Sequence, residues 1–136
     1  MKRAKKTAEI ISEIISGPGP IVEPLLIERD FGILTGKPLS DIPNYATKTL
    51  QTDVVNYFLE VEGAEDFPTL YKRAEELLKK VMSNYQDENV LLVCHGDTGK
   101  MIRAAYHKWD WLAGLKTKYF DNSEILFLED KTDKIE

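Results

Sequence analysis

Four consecutive residues, His95, Gly96, Asp97 and Thr98, bring together an imidazole, a residue without a β-carbon, a carboxylate and a hydroxyl. They follow an unbroken apolar run, Val90 to Cys94, and precede Met101, Ile102, Ala105 and Tyr106, which recur at helical spacing. An apolar run of that length between helices reads as a strand buried on both faces of a largely parallel sheet. Ligands of open α/β sheets bind outside the carboxyl ends of the strands, where loops and helix N-termini meet. A helix starting near Thr98 would aim backbone N–H groups and a positive dipole end at an anion, and Gly96 would let the backbone come close. A satisfied structural histidine is the competing account of His95, since a His-Gly pair alone is weak evidence.

Other candidates carry less. Lys2, Arg3, Lys5 and Lys6 form a local positive patch, either a solvated helix face or an attraction for an anionic substrate. His107 falls near a helix end, and two histidines twelve residues apart without a carboxylate or thiolate cluster make a poor metal site. Trp109 and Trp111, with Tyr106 and Phe120, could stack bases, but packing over the helix end is the plainer reading. Cys94, inside the apolar run, reads as a small core residue.

The chain that must position these groups has 136 residues, 18 basic against 23 acidic side chains and a net charge of −5. One globular domain over 1–136 is the default. With 43% apolar and 30% charged residues, neither disorder nor a fibrous repeat is indicated. The acidic balance argues against nucleic acid as a partner. A lone cysteine excludes an intramolecular disulfide framework and fits a reducing, cytoplasmic setting. No apolar stretch approaches the roughly 20 residues of a membrane-spanning helix, so no membrane association is expected.

Ala4, Ala8, Ile11 and Ile15 predict an amphipathic helix over 2–15, stopped by Ser16 to Pro20. Ile21 to Ile27, broken by Pro24, is an edge strand or an extended loop. A second helix is expected over Ala46 to Leu59, with Leu50, Val54 and Phe58 on one face. The clearest helix follows Asp66, a natural N-cap, and carries Leu70, Ala74, Leu77, Leu78, Val81 and Tyr85 on one stripe. Ile125 to Leu128 reads as a last strand, and from Glu129 on the chain is polar, with 130–136 a tail. The class is therefore α/β, yet two confident strands cannot cover four helices. The sequence reads as an α/β domain without its first strands.

Several segments, in order, resemble the histidine phosphatase superfamily, also called the phosphoglycerate mutase-like family. RAKKTAEII, Arg3 to Ile11, resembles the family's helix start whose arginine holds the transferring phosphoryl group. ERDFGILTGK, Glu28 to Lys37, is similar to the loop whose glutamate donates a proton in many members. GAEDFPTLYKRAEELL, Gly63 to Leu78, resembles the approach to the long helix. LLVCHGDTGKMIRA, Leu91 to Ala104, looks like the strand and helix of the second active-site histidine, and FDNSEILFLE, Phe120 to Glu129, resembles the closing edge strand. The family's defining Arg-His-Gly, whose histidine is phosphorylated, occurs nowhere in the sequence. The resemblance thus implies a three-layer fold, mostly parallel, that lacks the first strands, a stretch of roughly 30 residues or more.

It also implies roles. Arg3 would offer a planar fork to two phosphoryl oxygens. His95 would donate to those oxygens, best when protonated, with Gly96 beside it in the phosphate site. Glu28 would protonate the leaving oxygen and, in reverse, activate water. Arg29 either touches substrate or forms a surface salt bridge. The chemistry implied needs neither metal nor cofactor, and the ligand is phosphate or a small phosphorylated metabolite. Phosphomonoester hydrolysis or phosphoryl transfer is the leading expectation, with this chain inactive alone for want of its nucleophile. A phosphate-binding or scaffolding module is the alternative, and exposed sheet edges would favour a homodimer.

Overall fold

The computed structural model describes residues 2–128. Helix α1 (Lys2–Ile14) forms where the sequence spacing places it, but none of its residues is buried. Ile14 and Ile15, at its apolar end, are 77% and 68% exposed. After it the chain runs through loops and three short 3-10 turns, then the single-turn helix α2 (Ile42–Tyr45). The 21–27 segment is a loop: Pro24 opens a 3-10 turn that Glu23 caps by accepting from the Leu25 N–H at 3.1 Å.

Where the 46–59 helix was expected, the structure has a hairpin of strands β1 (Lys48–Gln51) and β2 (Asn56–Glu60). The spacing that suggested the helix explains the error. Residues four apart share a face in a strand as well as in a helix, so Leu50, Val54 and Phe58 fit both periods. The turn decides between them: the Thr52 N–H and hydroxyl both reach the Val55 carbonyl at 2.9 Å, and the Val55 N–H returns to the Thr52 hydroxyl at 3.0 Å. Leu50 pairs with Tyr57 and Thr49 with Phe58, which sends Tyr57 into one cluster and Phe58 into another. Val54 is left at the exposed tip.

Helix α3 (Phe67–Asn84) is capped as the sequence indicates, with Asp66 accepting from the Thr69 N–H at 2.7 Å and Pro68 in the first turn. It buries Phe67, Leu70, Ala74 and Leu77 against helix α4 (Gly96–Tyr106). Met101, Ile102 and, from helix α5 (Trp111–Lys116), Leu115 complete the main core. Phe67 stacks parallel to Trp111 with centroids 6.2 Å apart and meets Tyr57 edge-on at 5.8 Å. Trp111 thus packs over the start of α3, whereas the plainer reading placed the aromatic cluster over the end of a helix. Gly114 lets α5 press on α4, because a β-carbon there would come within 2.6 Å of the Ala104 methyl.

Two expected strands do not form. Val90–Cys94 and Ile125–Leu128 carry no strand, and among the described residues the only sheet is the antiparallel hairpin. A strand exists only through a ladder to a neighbour, and among the described residues none pairs with either segment. Each segment still turns one side to the core, through Leu92, Cys94 and Leu128. The opposite sides stay open: Leu91 is 54% exposed, and Ile125 and Phe127 are 67% and 71%. Helices with a small sheet remain consistent with an α/β class, but the mostly parallel sheet is not present among the described residues. The 130–136 tail lies outside them.

Candidate functional site

Helix α4 begins where the sequence places the cluster, and the loop carrying Glu28 folds against its first turn. Oε1 of Glu28 accepts from the Thr98 N–H at 3.1 Å and from the Arg29 N–H at 2.9 Å, with the Thr98 hydroxyl at 3.1 Å. That hydroxyl also lies 2.9 Å from the Ile27 carbonyl. Glu28 therefore sits at the positive end of the helix dipole and satisfies one of its open donors. The open N-terminus expected from the sequence is partly filled by this carboxylate. The N–H groups of Gly96 and Asp97 keep no partner among the described residues.

His95 occupies the N-cap position of α4 without capping it, and its Nε2 is buried with no hydrogen-bond partner. An unpaired buried polar atom costs about 1–3 kcal/mol, so this nitrogen is a natural partner for a water or a bound group. Burial pulls the His95 pKa below the usual imidazole value, Glu28 pulls it back up, and Arg3 pushes it down. Burial thus favours neutral imidazole, opposite to the protonated state that suits an anion. Arg3 itself is exposed on α1, within electrostatic range of His95.

Arg29 is not at the surface. Its side chain is 1% exposed, with Nε donating to Asp97 Oδ2 at 2.9 Å and an η nitrogen donating to the Phe58 carbonyl at 3.0 Å. The guanidinium lies between two rings, 3.9 Å from the Phe58 centroid and 4.1 Å from that of Phe67. The surface salt bridge expected of Arg29 required exposure that burial beneath the Phe58 and Phe67 rings removes; its pairing with Asp97 is internal. Arg29 ties the Glu28 loop, the hairpin and the first turn of α4 into one unit. Desolvation lowers the Arg29 pKa against the pull of Asp97, while desolvation raises that of Asp97 against the pull of Arg29. Each charge is tolerable there only because of the other.

Residues that the sequence reading passed over complete the surroundings. Burial, then Asp97, raise the Tyr57 and Tyr119 phenols above the ordinary tyrosine value, so both lie within electrostatic range of Asp97. Lys100 is 1% exposed, and its ammonium donates to the Thr117 carbonyl and hydroxyl and to the Lys118 carbonyl. Burial brings its pKa down to about 8. A lysine one residue before the buried pair Met101 and Ile102 was the available signal. Cys94 packs at the core edge, its thiol pushed up to about 12 by burial and then by Glu28, as a core residue should be. His107 stands at the other end of α4, stacked on Trp109 at 4.7 Å.

Among the described residues no group of three or more His, Cys, Asp or Glu is gathered as metal ligands would be, and no helix is long and apolar enough to cross a membrane. An open groove of about 570 Å³ runs along Tyr45, Glu60, Glu62 and Asp66, but it includes none of the residues around His95. The arrangement at His95 has an unsatisfied imidazole nitrogen, two open backbone donors, a neighbouring carboxyl and a guanidinium in electrostatic range, a set suited to an anion and a proton transfer.

A family model described as the histidine phosphatase superfamily (branch 1) matches residues 1–136. No curated protein and no solved structure matches the chain.

Proposed function

The chain belongs to the histidine phosphatase superfamily, and on that premise we propose that the Glu28–His95 site takes the phosphoryl group of a small phosphorylated substrate. The observation that carries this reading is the buried, unpartnered Nε2 of His95 beside the Glu28 carboxyl at the start of α4. A transferring phosphoryl group spreads negative charge over three oxygens, so donors fixed in advance stabilise it. His95 Nε2 and the N–H groups of Gly96 and Asp97 are such donors. Arg3 adds positive charge from α1. Asp97 does not repel the anion fully, because Arg29 pairs with it.

Glu28 is the proton donor to the leaving oxygen and, in the reverse sense, the base for water. Thr98 suits that exchange. Its hydroxyl holds one hydrogen between Ile27 O and Glu28 Oε1, so it accepts from a protonated carboxyl and donates to an ionised one. Arg29 acts as a positioning residue through Asp97 and the Glu28 loop.

A phosphohistidine route needs a nucleophilic histidine facing His95. His107, the other histidine, lies roughly 18 Å along α4, at about 1.5 Å per residue, and cannot serve. These 136 residues therefore supply phosphoryl-oxygen donors and a proton donor, while the nucleophile is not among them. That favours a second reading, a chain that binds a phosphorylated ligand without turning it over. The lone cysteine suits the cytoplasm, and the open sides of Leu91, Ile125 and Phe127 suit pairing of two copies.

The test uses the purified chain. Inorganic phosphate at millimolar concentration is expected to raise the melting temperature, and His95→Ala is expected to abolish the shift. No shift in the wild-type chain sinks the site. Hydrolysis of p-nitrophenyl phosphate that falls with His95→Ala or Glu28→Gln selects catalysis; binding without turnover selects the ligand-binding reading.

A further inference from the structure

Tyr119 reaches back to the first turn of α4 from the segment after α5. Its hydroxyl rests on Gly96: a β-carbon at that position would overlap the Tyr119 oxygen. Gly96 is a glycine in this fold because a phenol crowds it, and not only because an anion must approach. The ring is partly buried, and the hydroxyl has no hydrogen-bond partner among the described residues. The adjacent group is Gly96, whose N–H is open and which follows His95 directly in the chain.

What holds Tyr119 there is a buried cation. Lys100 donates to both carbonyls of Thr117 and Lys118 and to the Thr117 hydroxyl, the two residues immediately before Tyr119. Its ammonium also lies 5.8 Å from the Tyr119 ring centroid. Burying a lysine is costly unless each donor is met, and here three acceptors from one short segment meet them. The arrangement fixes the backbone from which Tyr119 projects and leaves its hydroxyl able to donate beside the site.

We propose that Tyr119 donates a hydrogen bond to a phosphoryl oxygen bound at His95 and Gly96, and that Lys100 is the positioning residue that holds it there. This rests on the phosphoryl-site reading above. The raised phenol pKa fits, because burial and the nearby Asp97 and Glu28 charges keep the hydroxyl a donor.

The test is isothermal titration of the full chain with inorganic phosphate, in five forms: wild type, His95→Ala, Tyr119→Phe, Lys100→Met and the double variant Tyr119→Phe with Lys100→Met. The inference expects wild type to bind and His95→Ala to lose binding. Tyr119→Phe, which keeps the ring on Gly96, should bind roughly tenfold more weakly, the loss of one hydrogen bond to a charged group. Lys100→Met should weaken binding in the wild-type background and add little in the Tyr119→Phe background, a coupling that a merely structural lysine would not show. If Lys100→Met does not fold, Tyr119→Phe decides alone. Wild-type binding that His95→Ala abolishes but Tyr119→Phe leaves unchanged overturns the inference and spares the site. No wild-type binding, or binding indifferent to His95→Ala, overturns both.

Discussion

Two parts of this molecule use apolar residues in opposite ways. Between α3, α4, α5 and the hairpin, Phe67, Leu70, Leu77, Met101 and Leu115 are all but inaccessible to water. Along α1 and the 90–94 and 125–128 segments, residues of the same kind, Ile14, Leu91, Ile125 and Phe127, stand open. Both parts have the right local pattern. Only the first has elements packed on both sides of its apolar positions, which is what turns a pattern into a core. The candidate site lies where the two parts meet: Glu28 and His95 are anchored by the packed part, and Arg3 comes from the open one.

The contrast can be broken by substitution. Arg29→Met should have the largest effect, because it leaves Asp97 charged and desolvated without its partner; removing one partner of a buried pair costs about 3–5 kcal/mol. Urea denaturation reads it, and a loss under about 1 kcal/mol would show that Asp97 escapes to water. Leu77→Ala, at the centre of the α3 and α4 contact, should cost about 2–5 kcal/mol by the same measurement.

Anion binding gives a smaller, pH-dependent effect. Burial holds the His95 pKa below its unfolded value, so the unliganded protein carries this contribution above the unfolded pKa and loses it as pH falls. A bound anion favours the protonated ring and reverses that trend. Sulfate, whose charge is constant between pH 5 and 8 on the order of its acidity, should bind more tightly as pH falls from about 8 to about 6. Titration calorimetry of wild type against His95→Gln checks it, and parallel profiles would remove His95 from the anion site. The smallest effect belongs to the open part. Ile14→Ser should change stability by less than about 0.5 kcal/mol. A cost matching that of Leu77→Ala would mean that α1 is covered in solution, for instance by a second copy, and sedimentation velocity would then show the dimer.

Legibility from sequence followed the range of the interactions. The α3 helix, its Asp66 cap and its buried stripe were readable because all lie within a few turns of one another. The hairpin was not, since spacing by four satisfies both a helix and a strand and the Thr52 turn carries no glycine signal. At the site, His95, Gly96 and Glu28 were found by motif, and the structure brings them together. Arg29 was found but misplaced, because nothing near Arg29 in the chain foretells Phe58, Phe67 and Asp97 around it. Tyr57, Lys100 and Tyr119 were missed, although a lysine next to Met101 and Ile102 in a helix could have raised the question.

By itself, then, the sequence determined the family, the three longer helices and the position of His95 at a helix start, each through contacts a few residues long. Tertiary structure decided which apolar runs are covered, that 90–94 and 125–128 remain without ladders, and that Arg29 and Lys100 are buried cations. The physical reason is that helical hydrogen bonds join near neighbours, whereas a strand, a buried charge and an unsatisfied imidazole are each defined by partners distant in the chain.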